Sequence, residues 1–149
     1  MIGLAIDSTT AYFAKDVSPS PPGTPDTLDG GVLSCALTGC GGSPSELIPI
    51  DLVADDAGLL LPWQFAVDRT NLYWDMTRYQ PNLAGPATGQ VLACAKGGCG
   101  NSPTVLASGL RSPAGLTTDG ISVYFTERGD TMGSNATDGR VSKCAVMQS

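Results

Sequence analysis

Apolar residues in this chain alternate with a period of two in short runs. Leu4 and Ile6 are set against Ala5 and Asp7, and Phe65 and Val67 against Ala66 and Asp68, the spacing of a strand with one buried face. A second kind of run carries aromatic pairs, Tyr12-Phe13, Tyr73-Trp74 and Tyr124-Phe125, residue types that suit a pleated, half-buried surface. A third leads a valine into a cysteine: Gly31-Val32-Leu33-Ser34-Cys35, Gln90-Val91-Leu92-Ala93-Cys94 and Arg140-Val141-Ser142-Lys143-Cys144. A fourth, Glu46-Leu47-Ile48 and Thr104-Val105-Leu106-Ala107, follows the turn segments Gly41-Gly42-Ser43-Pro44 and Gly100-Asn101-Ser102-Pro103. No stretch sustains a helical period. The pattern predicts an all-β chain of eleven strands.

The runs recur in the same order three times. Asp7 to Tyr12, Asp68 to Tyr73 and Asp119 to Tyr124 keep one spacing of five, while the Asp-to-Asp intervals are 61 and 51. Length changes are confined to Gly- and Pro-rich segments, as expected of repeats joined by loops. Four-stranded units of this size are blades of a β-propeller. A β-sandwich is the rival, but its strands have no reason to recur in like groups of four. The expected units span approximately 1–62, 63–113 and 114–149, the last with three strands only. Propellers close with about four to eight blades. The expectation is therefore an incomplete segment, continued by the remaining blades of a longer chain or by a second copy making six.

The run Phe65-Ala66-Val67-Asp68 through Tyr73-Trp74-Asp75 resembles the YWTD repeat of six-bladed receptor propellers. The pattern Val-Leu-x-Cys-Ala-(x3)-Cys-Gly-x-Ser-Pro-(x2)-Leu, at 32–47 and 91–106, is similar to cysteine-bearing repeats of uncharacterised bacterial propellers of the NHL/TolB-like group. The likeness covers nearly the whole chain and implies a fold more than a function, because propellers serve as binding platforms and as enzymes alike. Phe13 and Phe125 stand where the second unit has Trp74, a departure from the full motif.

Composition narrows the chemistry. The 149 residues include no histidine, which removes Ser-His-Asp triads, Cys-His pairs, His-ligated zinc and any His general base within this chain. A net charge of −6 speaks against nucleic acid, whose binding needs a basic footprint. The 19 Gly and 11 Pro read as turns. No apolar run is long enough for a membrane span, and no signal peptide is expected in the opening residues, which lack a basic region and a long apolar region.

Cys35 and Cys40, and Cys94 and Cys99, sit at the end of the third run and in the turn after it. The expectation is two structural disulfides pinning those turns, with Cys144 left as a thiol. A four-Cys zinc site is disfavoured because the pairs belong to different units, and a redox pair because the spacing is not Cys-x-x-Cys. Disulfides belong to oxidising compartments. Extracytoplasmic localisation is expected if the full-length chain has a signal peptide; a leaderless cytosolic protein is the alternative.

Asp7, Asp68 and Asp119 close the first strand of each unit. They read as caps of the following turn, accepting backbone N–H groups, rather than as a ring of ligands. Phe13, Trp74 and Phe125 read as packing between units. No Asp-x-Asp-x-Asp-Gly loop occurs, so calcium is not expected, and neither is another metal or a cofactor. Asn135-Ala136-Thr137 is a glycosylation sequon, relevant in a secretory host only.

The connections 16–30, 49–62, 75–89 and 127–139 are long and irregular, and in a propeller they open on one face. Function concentrates on such loops over a rigid scaffold. That face carries Asp55, Asp56, Trp63, Arg78, Tyr79, Arg128 and Asp130; of these, Trp63, Arg78, Tyr79, Arg128 and Asp130 are the ligand-binding candidates, since exposed aromatics with Arg suit a protein or glycan contact. The favoured expectation is a non-enzymatic binding or scaffold module. The alternatives are part of a lactonase- or lyase-like propeller enzyme with its catalytic residues on other blades, and a purely structural repeat segment.

Overall fold

The computed structural model describes residues 3–15, 29–51, 59–79, 88–129 and 138–146. Among them there are eleven strands and no helix. Strands β1 (Leu4–Ile6), β2 (Thr10–Ala14), β3 (Asp29–Ala36) and β4 (Ser45–Asp51) form one antiparallel sheet in chain order. A second follows with β5 (Leu59–Val67), β6 (Asn71–Tyr79), β7 (Thr88–Ala95) and β8 (Thr104–Arg111). The third holds β9 (Pro113–Thr118), β10 (Ser122–Glu127) and β11 (Arg140–Ala145). The first strands lie side by side, β1 against β5 and β5 against β9.

Period-two alternation decides how the sheets stack. Ala5, Tyr12, Ala14, Val32 and Ile48 of the first sheet share one buried core with Phe65, Leu72, Trp74, Met76 and Leu92 of the second. The opposite face of the second sheet offers Ala66, Tyr73, Val91 and Leu110 to Val123 and Phe125 of the third. Being covered on both sides, the middle sheet buries five consecutive residues of β6, Leu72 to Met76. Trp74 is fully buried, and emptying such a site to Ala costs about 3–5 kcal/mol.

The turns between third and fourth strands follow from left-handed residues. Gly41 and Gly42 have φ of 60° and 80°, and Gly100 and Asn101 have 60° and 64°, the pair of positive φ values of a type I′ turn. Ser43 N donates to Cys40 O at 2.9 Å and Ser102 N to Cys99 O at 3.1 Å. The disulfides Cys35–Cys40 and Cys94–Cys99 span the turns just before these, closed by Gly39 N to Ala36 O and Gly98 N to Ala95 O, with Cα atoms 5.3 and 5.5 Å apart. Cys144 is a free thiol.

Several strands run further than the residue pattern indicates. β6 continues through Asp75 to Tyr79, so Arg78 and Tyr79 lie on a strand rather than in a loop. β5 starts at Leu59 and includes Trp63, so the second sheet begins before residue 63. The antiparallel pairing of Leu59–Pro62 with Met76–Tyr79 causes both extensions, and it persists across a bulge that interrupts simple alternation.

Candidate functional site

The two ends of the sheets differ in chemistry. At the end with short turns, one arrangement appears three times. Asp7 Oδ1 accepts from Thr9 N and Thr10 N, both at 2.8 Å, and Oδ2 accepts from the Tyr12 hydroxyl at 3.2 Å. Asp68 holds Thr70 N, Asn71 N and the Tyr73 hydroxyl at 2.7, 2.7 and 2.6 Å. Asp119 holds Ile121 N, Ser122 N and the Tyr124 hydroxyl at 2.8, 2.7 and 2.9 Å. The spacing of five puts the tyrosine ring next to the turn its hydroxyl closes.

Electrostatics differ among the copies. Lys96, from the disulfide turn of the second sheet, reaches back to Asp7 Oδ2 at 2.8 Å. This ammonium, with the bond from Thr9 N, holds the Asp7 carboxyl well below its ordinary range. Burial pushes Asp68 up, but the bonds from Tyr73, Asn71 and Thr70 outweigh it and the net shift is downward. Burial, then the Asp68 bond, raises the Tyr73 phenol. A shallow depression of about 600 Å³ lies between the turns 67–70 and 118–121.

Toward the opposite end, two buried carboxylates hold irregular backbone, Asp75 midway along β6 and Glu127 closing β10. The bulge in β5 sets Trp63 and Gln64 against the single residue Asp75, a geometry that withdraws amides from the ladder. Asp75 Oδ1 accepts both, from Trp63 N at 3.3 Å and Gln64 N at 2.8 Å. In the third sheet Glu127 Oε2 accepts from Arg111 N at 2.8 Å, beside the shift between Thr126 and Glu127. The two acids then diverge. Arg140 grips both Glu127 oxygens, at 2.6 and 3.1 Å, and holds that carboxyl below its ordinary value. Asp75 Oδ2 is buried with no hydrogen-bond partner among the described residues, and desolvation lifts its pKa to about 6.

A carboxyl shifted in this way marks a chemical site when it lines a cleft. Asp75 does not: it is 1% exposed, sits inside the stack, and its bonded oxygen holds main chain. It is a structural anchor. The cleft at this end, about 370 Å³, is lined by Arg111, Glu127, Asp138 and Arg140. Arg111 Nη1 lies 3.2 Å from Asp138 Oδ2 as an exposed ion pair.

Of the expected ligand-binding residues, Trp63 is half-buried in β5, and its indole Nε1 is buried without a partner among the described residues. Arg78 is half-buried on β6, opposite Leu60. Arg128 is exposed, just beyond β10 on the third sheet, with its N–H bonded to Ser112 O at 3.1 Å. Trp63 and Arg78 therefore belong to the second sheet, and Arg128 to another. Tyr79 ends β6 opposite Leu59. Asp130, Asp55, Asp56 and the sequon at 135–137 lie outside the described residues. Among the described residues no three His, Cys, Asp or Glu side chains group as metal ligands, and no helix is long and apolar enough to cross a membrane.

Residue types alone did not single out Asp75, Glu127, Arg111 or Arg140. The available signal was an acid close behind the aromatic pair, immediately after Trp74 at 75 and separated from Phe125 by one residue at 127. Compared with protein-family models, curated proteins and solved structures, the chain matches none.

Proposed function

We propose that the chain is a non-enzymatic binding or scaffold module, a segment of about three blades of an extracytoplasmic β-propeller. It contacts a protein or carbohydrate ligand through the end of the sheets opposite the Asp–Tyr turns. Support for the propeller comes from three antiparallel meanders whose first strands are neighbours. The two disulfides fit an oxidising compartment.

The observation that carries the binding reading is the contrast between the two ends. One end repeats the same Asp–Tyr closure in all three sheets. Among the described residues the other end shows no such repeat: two arginines and two acids line a cleft between β8 of the second sheet and the third sheet, with Arg128 exposed beside it. The exposed Arg111–Asp138 pair is weakly held, so Arg111 is available to exchange Asp138 for a carboxylate or hydroxyl of a ligand.

The test is to probe the immobilised chain with an oligosaccharide array and a displayed peptide library. Saturable binding is expected, reduced about tenfold or more in an Arg111→Ser, Arg128→Ser double variant and unchanged in Asp119→Asn. Absence of saturable binding to both, or binding indifferent to the arginine changes, overturns the reading.

A further inference from the structure

The sheets stack head to tail. Each has a front face, which covers the next sheet, and a back face, which receives the previous one. Ala5, Tyr12 and Val32 occupy the front of the first sheet, and Ala66, Tyr73 and Val91 the same places on the second. The back of the second sheet offers Phe65, Leu72 and Trp74, and the back of the third offers Leu116, Val123 and Phe125. One front-to-back contact is thus built twice within the chain, from equivalent positions.

Two faces of this design have no cover among the described residues. On the back of the first sheet, Leu4 stands at the position of Phe65, and Phe13 at that of Trp74. Leu4 is 58% exposed and Ile6 53%, whereas Phe65 is 7% and Trp74 0%. On the front of the third sheet, Tyr124 and Val141 stand where Tyr12 and Val32, and Tyr73 and Val91, are buried. Val141 is 73% exposed while Val32 and Val91 are both 0%. Lys143 takes the place of Ser34 and Ala93, so this front is more polar than the other two.

We infer that the back of the first sheet and the front of the third are the two halves of one interface, filled by a second copy of this chain. The argument is continuity: the exposed halves are the same two surfaces that already meet twice inside each copy. A contact between unlike faces either closes a ring or runs on into a filament. With the three described sheets in each copy and about four to eight blades in a closed propeller, two copies bring together six sheets, a number that closes. That count rests on the propeller reading above; the contact does not.

Sedimentation equilibrium on the chain, with Leu4→Arg and Val141→Arg, tests this. Both positions are exposed within one copy, and unchanged thermal melting shows that the variants remain folded. The expected masses are twice 15.2 kDa for the starting chain and a single chain for each variant alone. Mixing the two variants restores the dimer, because the intact front of one still meets the intact back of the other. A monomeric starting chain overturns the inference. So does a dimer broken by only one of the two changes, which indicates a contact between like faces. A larger assembly that both variants dissolve upholds the contact and overturns closure at six sheets, and with it the propeller reading.

Discussion

The Tyr73 hydroxyl donates to Asp68 Oδ2 at 2.6 Å, while Asp68 Oδ1 accepts the N–H groups of Thr70 and Asn71. One carboxylate therefore closes the turn and anchors the strand that follows it. Tyr73→Phe removes a half-buried bond to a charged acceptor and is expected to cost about 1–2 kcal/mol in urea unfolding. Tyr124→Phe, at the exposed copy, is expected to cost less. Equal losses at the two sites contradict the role of burial.

Asp75 makes stability depend on pH. Its pKa rises from 3.8 to about 6, so between those values the folded chain keeps a proton that the unfolded chain has released. Stability from this group therefore falls as pH rises from about 4 through 6, by roughly 3 kcal/mol for two pKa units. Asp7, Asp68 and Glu127 act in the opposite sense. Their folded pKa values are depressed, so the stability they contribute is lost only as pH falls below about 4. Urea unfolding across pH is expected to peak near about pH 4–5. In Asp75→Asn the decline above that range disappears; a decline that persists refutes this assignment.

Much of this architecture was legible in the chain, for identifiable reasons. Eleven strands grouped in fours and a three followed from period-two alternation and recurring turn residues, because each sheet repeats one set of local rules. The ends of the strands were not legible. Leu59–Pro62 and Met76–Tyr79 pair with each other beyond a bulge, and the charged residue opposite that bulge, Asp75, looks like the start of a loop until its partners are known. The five-residue spacing from Asp to Tyr was visible, but the hydroxyl bond that gives it meaning appears only when the strand after the turn folds back. Glu127 and Arg140, 13 residues apart, meet only because β10 and β11 pair in register.

Lys96 ties the second sheet to the first through Asp7, with both side chains mostly covered. A double-mutant cycle with Lys96→Gln and Asp7→Asn is expected to give a coupling of about 0.5–1 kcal/mol that shrinks as salt is added. Zero coupling at low salt contradicts the contact.

The disulfides make a labelling prediction. Alkylation of the denatured chain without reduction is expected to add one group, at Cys144, and after reduction five, matching the five cysteines. In the folded chain Cys144 reacts slowly, because burial raises its thiol pKa and shields it. Each disulfide closes a short loop and contributes about 2 kcal/mol in the chain-entropy model. More than one label before reduction contradicts the pairing.

The central claim is the front-to-back stack, in which neighbouring residues of one strand face different sheets. A two-dimensional nuclear Overhauser spectrum of the labelled chain tests it most directly. The Trp74 ring is expected to show cross-peaks to first-sheet side chains such as Val32 and Ile48, and the Tyr73 ring to third-sheet side chains such as Val123. Cross-peaks from Trp74 to the third sheet, or from both rings to the same sheet, contradict the account.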